Sequence, residues 1–302
     1  MPRSQPSAWA IEAGGPMLVP LRYALAPAGA VSFRPRRRPT DSPMKTCTLI
    51  LCLTLLAGCS SGPSVDTRYS AASQSSRVQY VILHYTSADF ARSLELLTQD
   101  EVSSHYLISD ESKPRIYRLV DENRRAWHSG DSTWQGRTWL NASSIGIESV
   151  HPGYTVDASG QRIWHPYPEA QIELLIELLK DIQTRHGLPP DSIIGHSDVA
   201  PQRKVDPGPQ FPWQRLAEAG LLRWPDAAAV QREQAALAQL PDADWFQQAL
   251  ARVGYTVPRT GEWDEATRRV LAAFQMKYRP QRHDGVADLQ SAALLQVLGR
   301  SD

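Results

Sequence analysis

The chain has 302 residues, 42 % of them hydrophobic and 21 % charged, a balance that excludes a disordered or fibrous protein and leaves room for two ordinary domains. Lysine plus arginine equals aspartate plus glutamate at 32 each, so no basic excess points to nucleic acid as a partner. The three cysteines, Cys47, Cys52 and Cys59, lie near the start, so everything beyond Cys59 lacks both a disulfide framework and a thiolate metal site.

Residues 1–43 are rich in Pro, Arg and Ala and carry Arg36-Arg37-Arg38 without a sustained apolar period. They read as a disordered or untranslated extension, with a basic arm as the alternative. Met44 and Lys45 then open a targeting signal over 44–58. Its uncharged run from Thr48 to Ala57 is long enough for a signal core and too short to cross a bilayer as a helix. The run closes on Leu56-Ala57-Gly58-Cys59-Ser60, which resembles the lipobox of bacterial lipoproteins, where the signal is cut before a cysteine that is then acylated. Cys59 is therefore the candidate lipidation site, with an ordinary secretory signal as the alternative. Several acyl chains anchor a protein stably where one is marginal. A Ser after the cysteine resembles the pattern sorted to the outer membrane, whose periplasmic face is the expected location. Residues 59–76, rich in Ser, Gly and Pro, read as a tether.

Order is expected from Arg77. Val78 to Thr86 is short and dense in β-formers, a buried strand in which period-two alternation puts Tyr80, Ile82 and His84 on one face. A helix around Ala91 to Asp100 follows, then strands over Ser104 to Ser109 and Arg115 to Val120. His105 is expected to face out of the sheet or to make a structural hydrogen bond. Ala126-Trp127-His128-Ser129-Gly130, with Trp134, Trp139 and Asn141 beyond it, suits a substrate wall. Ordinary surface packing is an equal alternative for these residues.

Ser144 to Val150 alternates as a strand and sets Glu148 among apolar neighbours. A carboxylate so placed either ionises with difficulty, as a general base near neutral pH requires, or is a salt-bridged structural residue. Pro168 to Arg185 is the clearest helix, with Ile172, Leu175, Ile176, Leu179 and Ile182 on one stripe and Gly187 as its stop. Ser192 to Gly195 is a short strand whose end carries His196, followed by Lys204-Val205-Asp206-Pro207-Gly208-Pro209. Imidazole and carboxylate are two ligand types that zinc accepts, and a catalytic zinc needs a third protein ligand, for which His84 is the upstream candidate. A helix near Trp213 to Leu221 closes this part, so strands alternating with helices give an α/β layer architecture. The Ala/Gln-rich stretch 226–239 reads as a helical linker. Helices over Asp244 to Val253, from Asp264, and over Asp288 to Leu298 then form a small bundle that reads as a binding module.

His84 in HYT, Glu148 in SIGIE, His196 in GHSD, and Lys204 with Asp206 in KVDPGP together resemble the zinc-dependent N-acetylmuramoyl-L-alanine amidases of the Amidase_2 type, over residues 77–225. Gly254-Tyr255, Gly261-Glu262-Trp263-Asp264 and Ala272-Ala273-Phe274-Gln275 are similar to the three-helix peptidoglycan-binding domain often appended to such enzymes, over 240–302. The resemblance implies a mixed central sheet flanked by helices. It implies one Zn²⁺ held by His84, His196 and Asp206, with Glu148 as catalytic acid/base and Lys204 stabilising the transition state. Trp127 and His128 fall in a segment that lines the family's cleft and are carried as substrate contacts. The implied reaction is hydrolysis of the amide between N-acetylmuramic acid and L-alanine in peptidoglycan or muropeptides, in cell-wall turnover. A non-catalytic peptidoglycan receptor and a zinc peptidase acting on another wall bond are the rivals. No long apolar stripe asks for a protein partner, and a monomer is the expectation.

Overall fold

The computed structural model describes residues 63–300. The expected signal at 44–58 and its Cys59 lie outside the described residues. Residues 63–75 are exposed and have no regular element, and among 63–70 Arg68 pairs with Asp66. No helix of the described residues is long and apolar enough to cross a membrane.

The described residues from 71 onward form one unit built on a five-stranded sheet. The strands are β1 (Tyr80–Tyr85), β2 (Tyr106–Ile108), β3 (Ile116–Arg118), β6 (Ser144–Ser149) and β9 (Ile193–Gly195), in the spatial order β3-β2-β6-β1-β9. Only the β2–β3 pair is antiparallel, so the sheet is mixed. Two short hairpins stand outside it: β4 (Thr133–Trp134) with β5 (Arg137–Thr138), and β7 (Tyr154–Val156) with β8 (Arg162–Trp164). Helix α1 (Phe90–Gln99) links β1 to β2, with the Asp89 carboxylate capping its start by accepting from the Arg92 amide.

Alternation along β1 assigns the two faces. Val81 and Leu83 pack with Ile145 and Ile147 of β6 under α2 (Glu169–His186), whose stripe Ile172, Leu175, Leu179 and Ile182 is fully buried. Each such side chain contributes about 1.5–3 kcal/mol by leaving water. Gly187, at φ 64°, ends the helix as the sequence predicts. Gln171, on the first turn of α2, donates its amide to the carbonyls of Ile108, Ser109 and Val150 and so pins the helix to the strand ends.

The opposite face of β1, Tyr80 and Ile82, joins Ile194 and Val199 in a second core that also contains Phe246, Leu271, Phe274 and Leu295 of the C-terminal helices. The two sequence regions therefore share apolar core. After the short helices α3 (His196–Val199) and α4 (Trp213–Glu218), the C-terminal part consists of α5 (Ala227–Ala236), α6 (Ala243–Val253), α7 (Glu265–Tyr278) and α8 (Leu289–Leu298). Here the reading of 226–239 as a linker is corrected. The stretch is helical, but α5 packs along α8, Val230 is buried in the common core, and Glu233 pairs with Arg300. It is a helix of the bundle, making four.

Candidate metal centre and active site

All the chemistry-bearing residues collect at one edge because β1, β6 and β9 run parallel and their carboxyl ends coincide. His84 is the penultimate residue of β1 and sits directly opposite Glu148 on β6. Gly195 ends β9, and His196 opens the short helix α3 (His196–Val199) immediately after it. The carboxyl edge of parallel strands is where open α/β sheets place their sites. The Asp206 loop folds back onto α3, with the Ser197 amide donating to the Asp206 carbonyl at 2.8 Å. Gly195 is needed for this approach, since a Cβ there would stand 2.8 Å from Cδ of Pro207.

His84 Nδ1, His196 Nδ1 and Asp206 Oδ2 converge: 2.9 Å between the two nitrogens, and 3.1 and 3.0 Å from each to the carboxylate. All three residues are buried. His196 Nε2 stands 3.2 Å from the Ser129 carbonyl, which only accepts, and at a longer 3.4 Å from the Arg203 guanidinium, which only donates; the shorter contact favours a hydrogen on Nε2 and a lone pair on Nδ1. Ligands at 2.0–2.1 Å around a tetrahedral ion stand about 3.3 Å apart, and the observed spacings are within a few tenths of an ångström of that. Buried acceptors pressed together without donors are what a cation would satisfy, so the residues present fit a metal ion.

Electrostatics support the same arrangement. Burial and the neighbouring His196 bring the His84 pKa down to about 4, which keeps its ring neutral and able to ligate. Burial alone would raise Asp206, but its contacts with His196 and His84 outweigh it and hold the carboxyl far below the ordinary range. Glu148 goes the other way: burial pushes its carboxyl up to about 8, the Asp206 charge adds to the rise, and Lys204 opposes it. Glu148 Oε2 is buried with no hydrogen-bond partner, and among the described residues no ion pair of Glu148 is seen, against the salt-bridged alternative. A buried orphan oxygen calls for an explanation, and a proton-handling role supplies one.

These groups line a cavity of about 400 Å³ that His84, Glu148, His196, Lys204 and Asp206 share with Trp127 and Tyr154. Trp127 is half exposed at its lip, with the Arg125 guanidinium 4.1 Å above the ring. His128 also lines this cavity, as the sequence implies, but its ring nitrogens are engaged within the protein. It is buried beneath His84, with Nδ1 3.0 Å from His84 Nε2 and Nε2 3.1 Å from Ser144 Oγ, so neither nitrogen is free for a ligand. For Trp134 and Asn141 the packing alternative holds, since neither lines the cavity. Trp134 is buried against Tyr255, in the core shared with the C-terminal helices. Asn141 Oδ1 accepts from the amides of His128 and Ser129 and from the Ser129 hydroxyl, fixing the loop that holds His196. Trp139 is exposed and stands outside the residues lining the cavity. His105 is buried within the sheet, accepting from the Gly146 amide, so the structural alternative holds for it.

Two contributors escape sequence reasoning. Arg203 donates to the carbonyls of Ser129 and Asp131, securing the same loop from the other side. Tyr154 enters from the β7–β8 hairpin, whose three-residue strands are too short to register as alternation.

Converging ligands beside a protonatable carboxylate mark this edge as the site of a hydrolase that works with a metal. The chain belongs to the N-acetylmuramoyl-L-alanine amidase family. The model of that family matches residues 74–209, and a model for a peptidoglycan binding domain matches 239–295. N-acetylmuramoyl-L-alanine amidase AmiD of Escherichia coli K12 is 42 % identical over 265 residues, covering 83 % of this chain and 95 % of the relative. The solved complex of that amidase with anhydro-N-acetylmuramic acid-L-Ala-D-gamma-Glu-L-Lys superposes with a TM-score of 0.71, covering 78 % of this chain and 94 % of that one. AmpDh3 of Pseudomonas aeruginosa, solved with anhydromuramic pentapeptide, is 36 % identical with a TM-score of 0.72, covering 78 % and 96 %.

Proposed function

We propose that the protein hydrolyses the amide between N-acetylmuramic acid and L-alanine in peptidoglycan or muropeptides, and that the metal at His84, His196 and Asp206 is zinc. The observation that carries this is the pairing of three buried metal ligands with the orphaned, proton-retaining Glu148 in one open cavity. Two imidazoles and a carboxylate are a ligand set of catalytic zinc, which when bound lowers the pKa of water to about 7 and polarises a carbonyl. Glu148 takes the proton of the attacking water and delivers it to the departing amine of L-alanine. Its raised pKa suits both halves of that task. Lys204 offers its ammonium to the oxygen of the tetrahedral intermediate, in a cleft where displaced water strengthens the interaction. Trp127, half exposed at the lip, presents an apolar face to the sugar or stem peptide.

The test is mass spectrometry of muropeptides incubated with the protein, with and without a chelator. Free stem peptide beginning at L-alanine, formed only in the presence of zinc, is the expected product. Wall binding without cleavage by the zinc-loaded protein would return the reading to a receptor.

The anchor remains part of the same reading. Supported by the apolar run ending in Leu56-Ala57-Gly58-Cys59, the mature protein begins at an acylated Cys59 and is held on the periplasmic face of the outer membrane, while the C-terminal helices bind peptidoglycan. Cys59→Ser should move the protein from the membrane fraction to the soluble fraction. Retention in the membrane would remove the anchor from the account.

A further inference from the structure

The histidine beneath the metal cluster has no role in the chemistry above, yet its hydrogen bonds are fully determined. Ser144 Oγ lies 2.7 Å from the Leu140 carbonyl. A carbonyl only accepts, so the single hydroxyl proton of Ser144 is committed to it. Toward His128 Nε2, 3.1 Å away, Ser144 can then only accept, and Nε2 must carry a hydrogen. A neutral imidazole has one N–H, and its burial opposes a second. His128 Nδ1 is therefore a bare acceptor, and the His84 Nε2 standing 3.0 Å from it must donate. The consequence lies at the far side of the His84 ring, where Nδ1 is left with a lone pair pointing at His196 Nδ1 and Asp206 Oδ2.

We infer that His128 and Ser144 are positioning residues: the relay Leu140 carbonyl, Ser144 hydroxyl, His128 imidazole fixes the tautomer of His84 and turns its Nδ1 lone pair to the metal. The strand is cut to fit the relay. Ser144, Gly146 and Glu148 alternate on one face of β6. Ser144 supplies the acceptor, and Glu148 reaches the cavity. Gly146 leaves the space the ring occupies, because a Cβ there would lie 2.4 Å from His128 Cγ. The SIGIE segment thus holds a support and a slot as well as a carboxylate. Groups that orient metal-bound histidines in this way typically alter metal affinity by 10–100-fold when removed. The inference rests on the reading of the cluster as a metal site, and its test keeps the two apart.

Long-range ¹H–¹⁵N NMR of the histidine side chains in the metal-free protein reads the tautomer without any metal or substrate. His84 is expected as the Nε2–H form in the native protein, and as a mixture in Ser144→Ala. A predominant Nδ1–H form in the native protein would overturn the relay. Zinc affinity by chelator competition should fall about 10–100-fold in His128→Leu. It should recover largely in His128→Asn, whose Oδ1 can stand where Nδ1 accepts from His84. Wild-type affinity in a folded His128→Leu would overturn the inference. Should the leucine variant fail to fold, Ser144→Ala, which removes one oxygen, decides through its NMR spectrum. Absence of zinc binding by the native protein would instead refute the metal reading, leaving the tautomer measurement to judge the relay.

Discussion

Two buried polar clusters flank the short helix α3, only two residues apart in sequence, and they are built to opposite rules. On one side His196 joins His84 and Asp206 in a group of acceptors without donors. On the other, Asp198 is saturated: Oδ2 accepts from the Gly195 amide at 2.8 Å and from Lys277 Nζ at 3.0 Å, and Oδ1 accepts from the Tyr255 hydroxyl at 2.6 Å. Burial works against the Lys277 charge, but Asp198 outweighs it and raises the lysine's pKa. Lys277 also sits 4.2 Å over the Trp213 ring. The satisfied cluster is structure, joining the C-terminal helices to the helix that starts with a metal ligand. The other is fitted for function, since three acceptors converging on one point without a donor are what a cation would complete.

The largest expected effect lies on the unsatisfied side. Glu148→Gln keeps the shape and removes the proton transfer, so turnover should drop about 10²–10⁴-fold while zinc content stays at one per chain. Activity near that of the native enzyme, measured by muropeptide cleavage, would return Glu148 to a structural role. On the satisfied side, Lys277→Met strands a buried carboxylate and should cost about 3–5 kcal/mol of stability by denaturant unfolding. Asp198→Asn combined with Lys277→Met should recover part of that loss. If Lys277→Met were neutral, the two clusters would not differ as described. Lys204→Met should lower kcat about 10²–10³-fold with little change in stability, because Lys204 serves the cavity and not the core.

A further effect is one of pH. Glu148 binds its proton more tightly folded, at about 8, than unfolded, near 4.5. Its contribution to the stability of the metal-free protein is therefore whole below pH 4.5 and declines as pH rises to about 8. The slope is at most about 1.4 kcal/mol per pH unit. Glu148→Gln should flatten that decline when the two thermal-stability profiles are subtracted. An unchanged profile would mean the carboxyl is solvated.

His84 and His196 were legible in the sequence because each stands at the end of a short apolar run, and parallel strands bring such ends together; Glu148 and Asp206 drew their roles from the resemblance of their motifs to the family. The stripe of α2 and its stop at Gly187 were legible for the same local reason. His128 was not, because a histidine beside an exposed tryptophan looks like a cleft residue. Its burial depends on a missing Cβ eighteen positions away, at Gly146. Lys277 on an amphipathic helix looks solvated until Asp198, seventy-nine positions earlier, is known to face it. The packing of Trp134 and of α5 was hidden likewise: their partners, Tyr255 and α8, are distant in the chain, and no local period announces them.

The central claim is that His84, His196 and Asp206 hold the metal while His128 supports it from behind. Zinc K-edge absorption spectroscopy of the purified, zinc-loaded protein tests this most directly. The account predicts two imidazole nitrogens and oxygen neighbours at about 2.0–2.1 Å. Three imidazoles in the first coordination sphere, or zinc that leaves unchanged spectra in His84→Ala, would contradict it.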